Sequence, residues 1–172
     1  MRPDSFLIEN LFGVAEAIGA IGSGFLITRR WYLTVAIFGG QLLIFLFHPL
    51  TRYIPLWTLW DTYIGFLAIL PAAYFVRRLK GHRSEPSRLI PVTALIALVA
   101  VELDVMVRIF MLIVGGLYQA YPIPLEALPA IFIAGAIQTP VETAYTVAAT
   151  TMIGVPVLMA LEKSKVLRWP LS

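Results

Sequence analysis

Residues 89–118 read LIPVTALIALVAVELDVMVRIFMLIVGGLY, a run in which only Glu102, Asp104 and Arg108 carry charge. About 20 apolar residues suffice to cross the ~30 Å hydrocarbon core of a bilayer. At 1.5 Å per residue this run reaches ~45 Å, so it must tilt or protrude. Three ionisable side chains in such a setting are too costly to face lipid, so they must point into a bundle of neighbouring helices.

The flanking sequence supplies those neighbours. Residues 6–27 are apolar apart from Glu9 and Glu16, residues 31–48 carry no charge, and residues 54–76 carry only Asp61. After Pro122 and Pro124 comes a short uncharged stretch, 127–141, and then a last apolar run, 143–161. Over all 172 residues, 59% are apolar and 13% charged, and the mean hydropathy is +0.84. A soluble domain carries about 25% charged residues. The composition therefore excludes disorder and points to a single integral membrane domain over 1–172. The expected fold is an all-α, polytopic membrane helix bundle of five to six transmembrane helices, multi-pass in the cell membrane.

Basic residues give the orientation. Ten of the thirteen lie in three clusters: Arg29 and Arg30; Arg77, Arg78, Lys80, Arg83 and Arg88; and Lys163, Lys165 and Arg168. Placing all three clusters on the cytoplasmic side satisfies the positive-inside rule. The N-terminus is then outside and the C-terminus inside, which requires an odd number of crossings. Residues 119–141 are accordingly expected to stay on the outer side as a helical loop or re-entrant hairpin, leaving five spans. Trp31, Tyr32, Tyr74 and Trp169 fall at the inner boundaries of this arrangement, and Tyr53, Trp57, Tyr118 and Tyr121 at the outer ones, as interfacial aromatics do. The start lacks a basic region and an Ala-x-Ala site, so no removed signal peptide is expected.

Scattered basic clusters of this kind are topology signals, and no continuous basic face for nucleic acid exists. With no cysteine, disulfides and thiolate chemistry are excluded. The two histidines, His48 and His82, fall on opposite sides of the membrane, so no His-based metal site is expected. There is no phosphate-binding loop for ATP, no matched pair of aspartate clusters and no Ser, His and Asp at one depth. No cofactor is indicated, and the chain is read as a non-enzyme.

Asp61 and Arg108 lie in the outer halves of their spans, and Asp104 is four residues before Arg108, close enough to pair. Glu102 projects about 120° away from Arg108. Gln138 and Glu142 stand at the outer end of the last span, where Pro140 marks its start and Glu142 suits the positive end of its dipole. Asp61, Arg108, Gln138 and Glu142 thus converge from three spans on an outward-facing polar pocket, with Trp60, Tyr118 and Tyr121 placed to stack on or close over its content. Each aromatic also reads as a plain interfacial anchor. In the first span, Gly13, Ala17, Ala20 and Gly24 form one small-residue row, and Ala15, Gly19 and Ser23 another. Such rows serve close packing within the chain or docking of a second membrane subunit.

Three stretches resemble the substrate-binding S component of energy-coupling factor (ECF) transporters. One runs from Ile54-Pro-Leu-Trp-Thr-Leu-Trp-Asp-Thr-Tyr to Arg77-Arg78, a second is the long helix 89–118 with the loop after it, and the third runs from Gln138-Thr-Pro-Val-Glu142 to the basic tail. The resemblance implies a subunit that captures a vitamin-like solute outside and delivers it inward with a transmembrane coupling subunit and paired ATPase subunits. Acids outnumber the single arginine near the pocket, which favours a solute of cationic character. The alternatives are an intramembrane enzyme of lipid or isoprenoid metabolism, using Glu102, Asp104 and Glu142, and a structural membrane subunit.

Overall fold

The computed structural model describes residues 3–79, 86–120 and 123–164, with side chains from residue 13 onward except at 120. Among the described residues every regular element is helical. Helix α1 (Pro3–Ile27) turns into α2 (Trp31–Leu46) through Arg29, whose φ of 65° is left-handed. The Arg30 amide donates to the Phe25 carbonyl at 2.8 Å across that turn, closing the end of α1. Two short 3-10 turns, Pro49–Tyr53 and Leu56–Leu59, lead into α3 (Trp60–Leu67) and α4 (Ile69–Arg78). The break between α3 and α4 follows from Pro71, which has no N–H for the Leu67 carbonyl and whose ring presses against it. Helix α5 (Pro86–Ile113) stops at Gly116, whose φ of 73° an L side chain would resist. The short α6 (Leu117–Ala120), a 3-10 turn (Leu125–Ala127) and the long α7 (Leu128–Lys163) complete the order.

Helix α5 is the hub and packs against α1, α2, α3, α4 and α7. Phe38, Phe45, Ile69, Leu103, Met106, Ile113 and Leu128 fill the core around it. A Cβ on Gly19 would lie 2.8 Å from the Ala100 carbonyl oxygen, so α1 and α5 meet at a backbone distance that glycine permits. Ala15, Gly19 and Gly22 are buried, whereas Gly13, Ala17 and Ala20 are exposed. One small-residue row is therefore packing within the chain and the other looks outward.

The surface is apolar where a soluble protein would be polar. Phe47, Met152, Tyr145 and Ile137 are 84%, 77%, 75% and 72% exposed, while Thr34, Thr58, Asp61, Thr62, Glu102 and Thr143 are buried. Among the described residues, two helical stretches are long and apolar enough to cross a membrane, Leu56–Arg78 and Leu125–Lys163. Over an apolar window of 18 residues in each, half of the first is buried inside the protein but only 6% of the second. An apolar helix left uncovered on most sides needs an apolar medium around it. Gly13–Ile27 and Trp31–Leu46 are apolar and shorter.

The last two apolar runs differ from the sequence expectation. Residues 128–141 form neither a separate helical loop nor a re-entrant hairpin, because they are continuous with the final run in one helix of 36 residues. Pro129 sits in its first turn, where the missing N–H costs nothing and the fixed φ starts the helix. Pro140 lies inside α7 instead of marking its start, so Glu142 is a mid-helix residue and gains nothing from a helix terminus.

Candidate functional site

The first turn of α3, the C-terminal half of α5 and the N-terminal half of α7 enclose, with the middle of α1, a partly open cavity of about 690 Å³. Its charged lining comprises Glu16 from α1, Asp61 from α3, Asp104 and Arg108 from α5, and Glu142 from α7. Formally that is four carboxylates against one guanidinium. Thr58, Thr139 and Thr146 add hydroxyls, and Leu59, Ile109, Leu112, Ile131 and Phe132 supply apolar wall.

Each charged group reaches the cavity for a local reason. Asp61 stands in the first turn of α3, and its Oδ1 accepts the Thr62 amide at 2.9 Å. The positive end of the helix dipole favours a carboxylate there. Asp104 and Arg108 are one turn apart on α5, with Arg108 Nε 2.9 Å from Asp104 Oδ2. The same guanidinium approaches Glu16 Oε1 through Nη2 at 3.7 Å, which links α5 to α1 across the cavity wall. Asp104 Oδ1 is buried without a hydrogen-bond partner among the described residues. On α7, Gln138 Nε2 donates to Glu142 Oε1 at 2.6 Å. That bond holds the carboxylate one turn back along the helix, and Thr146 Oγ1 donates to the Glu142 carbonyl at 2.9 Å.

Of the residues singled out in the sequence, Asp61, Arg108 and Glu142 line one cavity. Gln138 is exposed and acts on that cavity through Glu142. Trp60 is outside the lining, and its indole Nε1 donates to the Ala136 carbonyl at 3.1 Å. Ala136 is four residues before Pro140, so its carbonyl is the one that Pro140 deprives of a helical N–H. The indole replaces the missing donor and ties the start of α3 to α7. Tyr118 accepts from Gln119 Nε2 at 2.9 Å in α6 and does not line the cavity. Tyr121 lies outside the described residues, as do Lys80, His82, Arg83, Lys165, Arg168 and Trp169.

Sequence reasoning left Glu16, Asp104 and the threonines out of the site. Glu16 lies three residues before Gly19, and that spacing on the α5-facing side of α1 was the available signal. Thr58 and Thr62 flank Asp61 at helical spacing, yet threonine inside an apolar helix more often bonds its own backbone, as Thr58 does with the Pro55 carbonyl at 2.7 Å. Among the described residues no group of three or more His, Cys, Asp or Glu is arranged to hold a metal ion. The cavity thus sets opposed charges beside an apolar wall, with acidic character predominating. Set against protein-family models, curated proteins and solved structures, the chain gives no match.

Proposed function

We propose that the chain is a multi-pass membrane protein that captures a small cationic solute on the outer face of the cell membrane, as the substrate-binding subunit of an ECF-type uptake transporter. The observation that carries this reading is the 690 Å³ cavity walled by Glu16, Asp61, Asp104 and Glu142 around one Arg108. Its volume falls in the range of about 300–1,000 Å³ typical of small-molecule sites. Asp61 among those acids is buried, and a charge sunk in an apolar bundle is expensive and by default marks a solute or ion path.

Distances along the helices support an outward-facing cavity. Arg78 ends α4, Arg88 opens α5 and Lys163 ends α7. By helical rise, Asp61 stands ~25 Å from Arg78, Arg108 ~30 Å from Arg88 and Glu142 ~32 Å from Lys163. These separations match a hydrocarbon core of ~30 Å. With the basic ends cytoplasmic, the cavity opens on the other side. The apolar outer surface of α2, α4 and α7 supports a bundle in which five long helical segments span together.

Native mass spectrometry of the purified protein tests the proposal. The expected result is a retained cationic metabolite, lost on Asp61→Ala and on Glu142→Ala. A bound prenyl lipid or phospholipid in its place would support the intramembrane enzyme, and an empty cavity in a folded protein would leave a structural subunit. Uptake unchanged by both substitutions in a reconstituted complex would refute the site.

A further inference from the structure

Helix α5 is closed on one flank and open on another. On the closed flank Glu102 is wholly buried. Gly65 of α3 lies flat against it, since a Cβ at that position would overlap the Glu102 Cβ and Cγ, and Thr143 Oγ1 of α7 donates to its Oε1 at 2.9 Å. Leu103, Met106 and Val107 are buried as well. Val101, Asp104, Val105 and Arg108 are only half-buried, and their spacing of three and four residues sets them on one stripe of the helix. That stripe floors the cavity. Its borders are α1 and α7, each packed along α5 but not substantially against each other. On these borders Glu16 and Ala20 of α1 and Glu142 and Thr146 of α7 line the cavity and are exposed. The side chains of Glu16 and Arg108 are 74% and 40% exposed, so the gap between α1 and α7 is a side window onto the charged floor.

By helical rise, Glu16 stands ~20 Å from Arg29 and Asp104 ~24 Å from Arg88, less than the ~30 Å depth of the hydrocarbon core. In the proposed membrane placement the window therefore faces acyl chains of the outer leaflet. A hydrated ion entering from there would first have to shed its water. An amphiphile already dissolved in the leaflet brings its charge to the window and leaves its chain in lipid. We propose that the cavity loads sideways between α1 and α7 and that its solute is an amphiphilic organic cation, its ammonium group among the acids and its apolar chain left in the outer leaflet. This rests on the reading of the cavity as a cationic-solute site and narrows that solute to amines that partition into membranes.

The test is equilibrium binding of radiolabelled dodecyltrimethylammonium and tetramethylammonium to the full chain in phosphatidylcholine nanodiscs, with uptake by protein-free nanodiscs subtracted. The dodecyl compound should saturate one site at a free aqueous concentration at least about 100-fold below that of tetramethylammonium, because its chain stays out of water. Ala20→Trp and Thr146→Trp place bulk at exposed positions on either edge of the window, and each should cut that advantage at least about 10-fold. An advantage untouched by both substitutions overturns the side entry. Equal affinity for the two cations in the wild type overturns the amphiphile and leaves the cationic-solute reading standing. Saturable binding of neither cation refutes that reading, and the inference falls with it.

Discussion

Removing the indole N–H of Trp60 should destabilise the protein only while Pro140 is present. In the wild type, the Ala136 carbonyl has lost its helical donor to Pro140 and accepts from Trp60 Nε1 at 3.1 Å. Ala136 is largely buried and the bond itself is part-buried, so Trp60→Phe strands a carbonyl with restricted access to water. An unsatisfied buried acceptor costs about 1–3 kcal/mol. In a Pro140→Ala background, the new amide at residue 140 donates to the same carbonyl, and loss of the indole removes a surplus bond costing about 0.5 kcal/mol. The two substitutions should therefore couple by about 1–2 kcal/mol, a factor of 5–30 in the folding equilibrium. A double-mutant cycle by reversible unfolding in mixed micelles measures this coupling. Effects that add within about 0.3–0.5 kcal/mol would refute the claim that Trp60 substitutes for the missing amide.

Gly65→Ala should destabilise by about 1–3 kcal/mol through overpacking, because its Cβ meets the Cβ of Glu102 and not a flexible side-chain tip. Gly40→Ala on α2, where nothing lies within 4 Å, should be neutral or gain up to about 1 kcal/mol, and the pair of unfolding curves checks both. Arg29→Gly should raise stability by about 1 kcal/mol, because it relieves a φ of 65° that costs an L residue roughly that much. An unchanged unfolding midpoint for Arg29→Gly would mean that the side chain offsets its own strain.

Asp61, Arg108 and Glu142 could be singled out from sequence because each is a charge in or beside an apolar run, where an ionised group is costly. Gln138 carries no such penalty and sits outside the cavity. The course of residues 127–141 was illegible for a different reason. A proline inside a helix costs about 3 kcal/mol, so Pro140 reads as a boundary unless its orphaned carbonyl finds another donor. That donor is Trp60, 76 residues from Ala136 in the chain, and no local pattern announces it. The Glu102 centre was half legible. Its angle away from Arg108 follows from helical periodicity, but its meeting with Gly65 and Thr143 depends on how three helices cross.

The length of α7 has a consequence for the lipid around it. Its 36 residues rise ~54 Å, and fitting them within ~30 Å would require a tilt beyond the ~40° limit seen for spanning helices. In the proposed membrane placement, with Lys163 at the headgroups of one leaflet, a hydrophobic slab ~30 Å deep ends near Thr143, just where the cavity begins. Hydrophobic mismatch then sets, in that placement, how much of the cavity stands clear of the acyl chains. A membrane a few ångströms thicker would submerge Glu142, and a thinner one would lift the entire mouth into water.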